Sequence, residues 1–207
     1  MRSTRSDRFS IRSPGSPTRT VAAVALATVL VGAACAGPGE NPDRGVIAEA
    51  MIEGCGDSEV SGLAVFRERP SAEGVKIVDL SLRVDGLPDG LHAVHVHETA
   101  ACDPCSAAGG HHDPGPFGKT TPDAPDFNHP FHGGDLVNVE VKDGVGSLTT
   151  ATSRFTLSDG RLSVFDDDGS ALIIHTNPDA YCDQEDELAA GCAGGARGAC
   201  GVLVLAE

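Results

Sequence analysis

Gly90-Leu91-His92-Ala93-Val94-His95-Val96-His97-Glu98 alternates in the manner of an extended strand. Side chains two apart on a strand leave the same face, so His95 and His97 project together. All eight histidines of the chain fall between His92 and His175. Gly110-His111-His112-Asp113-Pro114 comes next, then His129-Pro130-Phe131-His132-Gly133-Gly134-Asp135, and Ile173-Ile174-His175 ends an apolar run. Imidazole suits copper and zinc, and a carboxylate three residues after His132 can join it on a zinc ion. An isolated histidine is ordinarily a surface or core residue; this density, with H-x-H and H-x-x-D spacings, points to metal. His92 is expected to face away from the pair and to bond backbone. His112, directly after His111, is expected in solvent.

Working outward, the chain reads as β throughout. Val60–Arg67 and Val75–Val84 have strand composition, and the second alternates clearly. Leu136–Val141 and Gly146–Thr152 flank Asp143-Gly144, a two-residue hairpin signal. Arg161–Phe165, Ala171–His175 and Gly201–Leu205 are further short strands, and no long stretch carries a helical period. Short strands divided by Gly, Pro and Asp predict an all-β sandwich or barrel. Two long loops, about 98–135 and 176–199, interrupt it. Both adjoin histidines, as functional loops do.

The chain has 207 residues, enough for one modest domain and a targeting segment. Five arginines lie between Arg2 and Arg19, and Val21–Ala34 is apolar and small, which reads as a signal peptide over 1–34. Val31-Gly32-Ala33-Ala34-Cys35 resembles a lipobox, with Cys35 lipidated; ordinary cleavage near Ala34 or Ala36 is the alternative. Residues 35–48 form a Pro/Gly tether and 49–207 the domain. Without residues 1–34 the chain keeps 10 basic and 29 acidic residues, a net charge of −19. That charge argues against nucleic acid, and against any membrane contact beyond a lipid anchor. Seven cysteines are present; with Cys35 lipidated, six remain, enough for three disulfides in an oxidising compartment.

Taken in order, G-L-H-A-V-H-V-H-E, A-G-G-H-H-D-P, H-G-G-D-L-V-N-V, A-L-I-I-H-T-N-P-D and G-A-R-G-A-C-G-V-L resemble the copper–zinc superoxide dismutase family, in its exported bacterial form. The resemblance covers most of residues 50–207. It implies an eight-stranded, flattened Greek-key barrel, an immunoglobulin-like sandwich with two long functional loops. It also implies copper on His95, His97, His111 and His175, and zinc on His111, His132 and Asp135, with His111 bridging the two ions. Arg197 would stand at the mouth of the copper channel. Cys102 and Cys200 would form the internal disulfide, with Cys105 a rival partner. Asp179 would link the two metal sites by hydrogen bonds. The pairing of the other cysteines stays open in the sequence: Cys182 and Cys192 flank the acidic loop, and a bridge between them would leave Cys55 with Cys105.

One departure matters. The family has a further zinc histidine between the bridging residue and the H-x-x-D pair, and Gly118-Lys119-Thr120-Thr121-Pro122, where it would fall, has none. His129 is the substitute, and His112 a weaker one; otherwise zinc keeps three protein ligands or is absent. The implied activity is conversion of superoxide to dioxygen and hydrogen peroxide by one-electron cycling of histidine-bound copper, with His111 and Arg197 catalytic. The alternatives are a copper-binding or copper-delivery lipoprotein and a copper-only dismutase. The protein would be a monomer or homodimer of the bacterial cell envelope, lipid-anchored to the outer face of the plasma membrane or else secreted.

Overall fold

The structure is a computed structural model that describes residues 45–115, 129–181 and 192–206. The signal segment, Cys35 and the tether up to Arg44 lie outside the described residues. Among the described residues ten strands run in chain order as β1 Ile47–Gly54, β2 Ser61–Pro70, β3 Lys76–Asp85, β4 Gly90–His92, β5 Val94–His97, β6 Val139–Lys142, β7 Val145–Thr152, β8 Ala171–His175, β9 Arg197–Val202 and β10 Val204–Leu205. β4 and β5 are parted only by Ala93, and β9 and β10 only by Leu203, so eight structural strands result.

Every strand pairing is antiparallel, in the order β4-β6-β7-β3-β2-β1-β9-β8-β5, with β10 on β1. β4, β6 and β7 are successive neighbours, and β3, which precedes them in the chain, lies beside β7; this is the Greek-key arrangement. The first and last strands of the order are the two halves of Gly90–His97. One stretch of chain therefore pairs with β6 at its start and β8 at its end, and the sheet curls round on itself into a barrel.

The interior follows from period-two alternation. β3 buries Val78, Leu80, Leu82 and Val84. β2 adds Phe66, which meets Phe155 edge-on at 6.4 Å. Val94, Val96, Leu172 and Ile174 complete one apolar cluster from the opposite wall. Between β6 and β7, Asp143 and Gly144 have φ of 52° and 75°. Positive φ at both positions is what a two-residue hairpin between twisted strands requires, and Asp-Gly supplies it.

Three expectations shift. β1 starts at Ile47, inside the stretch read as tether, and Ala48 is fully buried. β6 starts at Val139 rather than Leu136, because Asn138 is engaged elsewhere. Arg161–Phe165 is no strand: the Thr156 N–H donates to the Leu162 carbonyl and the Val164 N–H to the Thr156 carbonyl, which makes a looped bridge that buries Phe155 and Val164.

Candidate metal centre

β5 is buried on both faces. Val94 and Val96 enter the barrel, and His95 and His97 point outward beneath the long loops. β8 pairs with one edge of β5. Loop segments occupy the other: the Val96 N–H donates to the Gly134 carbonyl, the His112 N–H to the Val96 carbonyl and the Gly134 N–H to the His112 carbonyl, at 2.9, 2.9 and 2.7 Å. These bonds set His111 opposite His97 and Asp135 opposite His95. Glycine at 134 is required by this approach, since a Cβ there would lie 2.1 Å from the Val96 carbonyl oxygen.

The first group is made of His95, His97, His111 and His175, whose candidate ligand atoms all lie within 4.8 Å of one another. Each ring is turned by a fixed partner. His95 Nε2–H donates to Asp179 Oδ2 at 2.9 Å, which leaves Nδ1 facing His175 Nε2 at 3.1 Å. His97 Nδ1–H donates to the Gly109 carbonyl, and His175 Nδ1–H to the Gly195 carbonyl, both at 3.0 Å. A register shift at Ile174/His175 delivers the last ligand, and at Gly194 (φ 87°) a Cβ would lie 2.6 Å from the His175 Cβ. Burial, first of all, lowers the pKa of His97 to about 2, His175 to about 3 and His111 to about 4. These imidazoles are neutral, as ligands must be.

The second group surrounds Asp135. His111 Nδ1 lies 2.7 Å from its Oδ1, and His132 Nδ1 and His129 Nδ1 lie 3.1 and 3.3 Å from its Oδ2. The His132 N–H also donates to Oδ2 at 2.8 Å. Burial raises the Asp135 pKa, but the three imidazoles outweigh it and hold it well below the carboxylate range. Burial opposes charge on His129 too, and there Asp135 and Asp179 prevail, raising it to about 9. His129 Nε2–H donates to Asp179 Oδ1 at 2.9 Å, so Asp179 joins His129 to His95 across the two groups. His111 belongs to both groups: Nδ1 faces Asp135, leaving Nε2 for the first.

Arg197 is half-buried at the start of β9, opposite His175. Its Nη1 donates to the Cys105 carbonyl at 2.5 Å and its Nη2 to the Gly109 carbonyl. Two disulfides fasten the loop below it: Cys102–Cys200 and Cys55–Cys105, with Cα atoms 5.7 and 5.8 Å apart. Cys192 is disulfide-bonded, and Cys182 lies outside the described residues.

A family model described as copper/zinc superoxide dismutase (SODC) matches residues 60–203. The chain belongs to this family. It is 36% identical to a superoxide dismutase [Cu-Zn] of Deinococcus radiodurans, over 70% of this chain and 78% of that protein. It is 35% identical to an extracellular superoxide dismutase [Cu-Zn] of Onchocerca volvulus, over 73% of each. It is 33% identical to a superoxide dismutase [Cu-Zn] of Caulobacter vibrioides, over 75% of this chain and 84% of that protein. The all-β barrel is the fold expected of the family, and the disulfides fit an exported protein.

The donors fit the two metals of the family name. His97 Nε2 and His129 Nδ1 are buried without a hydrogen bond, which is costly unless something else satisfies them. Four imidazole nitrogens suit copper, and three imidazoles with one carboxylate suit tetrahedral zinc. Ligands about 2.0–2.1 Å from a tetrahedral ion stand roughly 3.3 Å apart, close to the spacings around Asp135.

His92 lies where expected, its ring nitrogens 2.8 Å from the His175 and Pro88 carbonyl oxygens. His112 corrects the reading: it is 2% exposed rather than solvated, because its backbone is part of the β5 edge pairing and its ring turns inward. Asn138 and Tyr181 were missed. The Asp179 N–H donates to Asn138 Oδ1 and Asn138 Nδ2 to the Asp179 carbonyl, at 2.8 and 3.0 Å, while the Asn138 N–H donates to Tyr181 Oη. The one available signal was a polar residue inside Leu136-Val137-Asn138-Val139.

Proposed function

We propose that this protein is a superoxide dismutase holding copper on His95, His97, His111 and His175 and zinc on His111, His129, His132 and Asp135. The observation that carries this reading is that His111 stands both among the close-set donors His95, His97 and His175 and against Asp135, which His129 and His132 also face, with a guanidinium on the same carbonyl that orients His97. Bound copper would supply one-electron chemistry, so that two superoxide anions and two protons give dioxygen and hydrogen peroxide. Arg197 attracts the anion and hydrogen-bonds it, as an always-charged planar donor can. His111 Nε2 is the atom at which a proton would be held and delivered, while Asp135, 2.7 Å from Nδ1, fixes the ring. Asp179 orients His95 and His129 together.

Export and lipidation at Cys35 would hold the domain at the outer face of the plasma membrane; the signal segment and the lipobox-like Val31–Cys35 support this. Metal analysis and dismutation assays of the purified protein test the whole reading. One copper and one zinc per chain with activity is the expected result. Activity with copper alone would remove His129 and zinc from it. Bound copper without dismutation would overturn it.

A further inference from the structure

The Asp179 carboxylate gives Oδ2 to His95 Nε2–H and Oδ1 to His129 Nε2–H, so both donor groups depend on how it is turned. A closed set of bonds turns it. The Asp179 N–H donates to Asn138 Oδ1 at 2.8 Å, and Asn138 Nδ2 donates back to the Asp179 carbonyl at 3.0 Å. Two residues on, the Tyr181 N–H donates to Asp179 Oδ1 at 2.7 Å, and Tyr181 Oη accepts the Asn138 N–H at 3.1 Å. Tyr181 thus holds the carboxylate with its backbone, and with its side chain it holds the residue that brackets Asp179. Asn138 stands three residues after Asp135, and Asp179 four after His175. The phenol therefore ties the chain leaving one group to the chain leaving the other.

Two features set this contact apart from ordinary packing. Tyr181 is 44% exposed, so its ring buries little apolar surface. Its φ of 51° places a bulky side chain in the left-handed region, which costs free energy and persists only where the surrounding bonds impose it.

We propose that Tyr181 is a positioning residue for Asp179: its hydroxyl keeps Asn138 on the Asp179 turn, and so keeps one carboxylate oxygen for each donor group. The inference rests on the reading of the two groups as copper and zinc sites. Tyr181 acts through Asn138 and Asp179, and its loss should be felt at both metals together. A ring held in place by its hydrogen-bond partner is a better ligand than one that must first be ordered.

Tyr181→Phe removes one oxygen and keeps both the ring and the N–H. A double-mutant cycle with Asp179→Ala tests the proposal, with the affinities for copper and for zinc read by chelator competition. Where Asp179 is present, Tyr181→Phe should weaken both metals about three- to tenfold, less than the loss of Asp179 itself. Where residue 179 is alanine it should change neither. No loss, a loss confined to one metal, or an equal loss in both backgrounds overturns the proposal. Proton exchange in the metal-free protein decides without any metal. The Nε2–H protons of His95 and His129 should exchange faster in Tyr181→Phe while the amides of β3 keep their rates. Unchanged exchange, or a quickening shared by β3, overturns the positioning role even if the dismutase reading stands. If Tyr181→Phe does not fold, the Asn138 amide proton of the parent decides: protection from exchange is expected, and exchange at the rate of an unprotected amide overturns the proposal.

Discussion

His129 and Asp179 divide the labour between the two donor groups. His129 touches one group, so His129→Ala should abolish stoichiometric zinc and leave copper in place, read by metal analysis after dialysis. Asp179 orients a ring in each group, so Asp179→Ala should lower affinity for both metals, about 10- to 100-fold each, as loss of a ligand's hydrogen-bond partner does. Competition titrations with a chelator check both, and a loss confined to one metal would refute the shared role. Gly134→Ala drives a methyl group into the Val96 carbonyl and must displace Asp135; a destabilisation of at least about 1–3 kcal/mol with loss of zinc is expected by denaturation. The H-x-H pair and the H-x-x-D pair were legible because strand period and ligand chemistry are local. That His129 reaches Asp135 was open, since only Asp179, fifty residues on, fixes its ring.

Among the elements, the β2 strand carries a buried anchor, Glu68. Its carboxylate accepts from the N–H groups of Leu157 and Ser158 and from the Ser158 hydroxyl, at 2.7, 3.0 and 2.7 Å. Burial raises its pKa, but the Ser158 and Leu157 bonds and Lys76 outweigh this, and the net shift is downward. A lowered folded-state pKa gives stability that is present above the unfolded-state value and is lost as pH falls through the folded one. Glu68→Gln should therefore destabilise by about 1–3 kcal/mol near neutrality, and the gap should narrow at an acidic pH below the lowered folded-state value. Urea unfolding of both proteins at the two pH values measures it; a constant gap would contradict the assignment. β3 and the Asp-Gly hairpin were readable in sequence because their large apolar residues face inward. β1 was not, since Ile52 is its one large buried side chain beside the small Ala48 and Ala50, while Met51 stands in solvent. Arg161–Phe165 has strand composition, yet a lone bridge replaces the ladder.

On the scale of the whole molecule, charge sets an expectation for the rate. The net charge without residues 1–34 is −19, and the second loop itself carries the acidic run Asp183-Gln184-Glu185-Asp186-Glu187. Long-range attraction of superoxide should therefore be weak, and dismutation should change less than about twofold between low and physiological salt. A steep fall on adding salt, followed by pulse radiolysis, would contradict it. The Ala93 crossover leads to something else. Because Gly90–His92 lies on β6 and Val94–His97 on β8, the barrel has two seams meeting at one residue. Opening the β4–β6 seam leaves His95 and His175 together; opening the β5–β8 seam parts them. Copper bound to His95 and His175 as proposed would be a rivet across one seam alone. Amide hydrogen exchange in β5 and β8 should slow on copper loading, by about 100-fold at free copper one hundred times its dissociation constant, while β4 and β6 keep the rates of the empty protein. The barrel would be laced shut from a single side, by the same ions that it is built to hold.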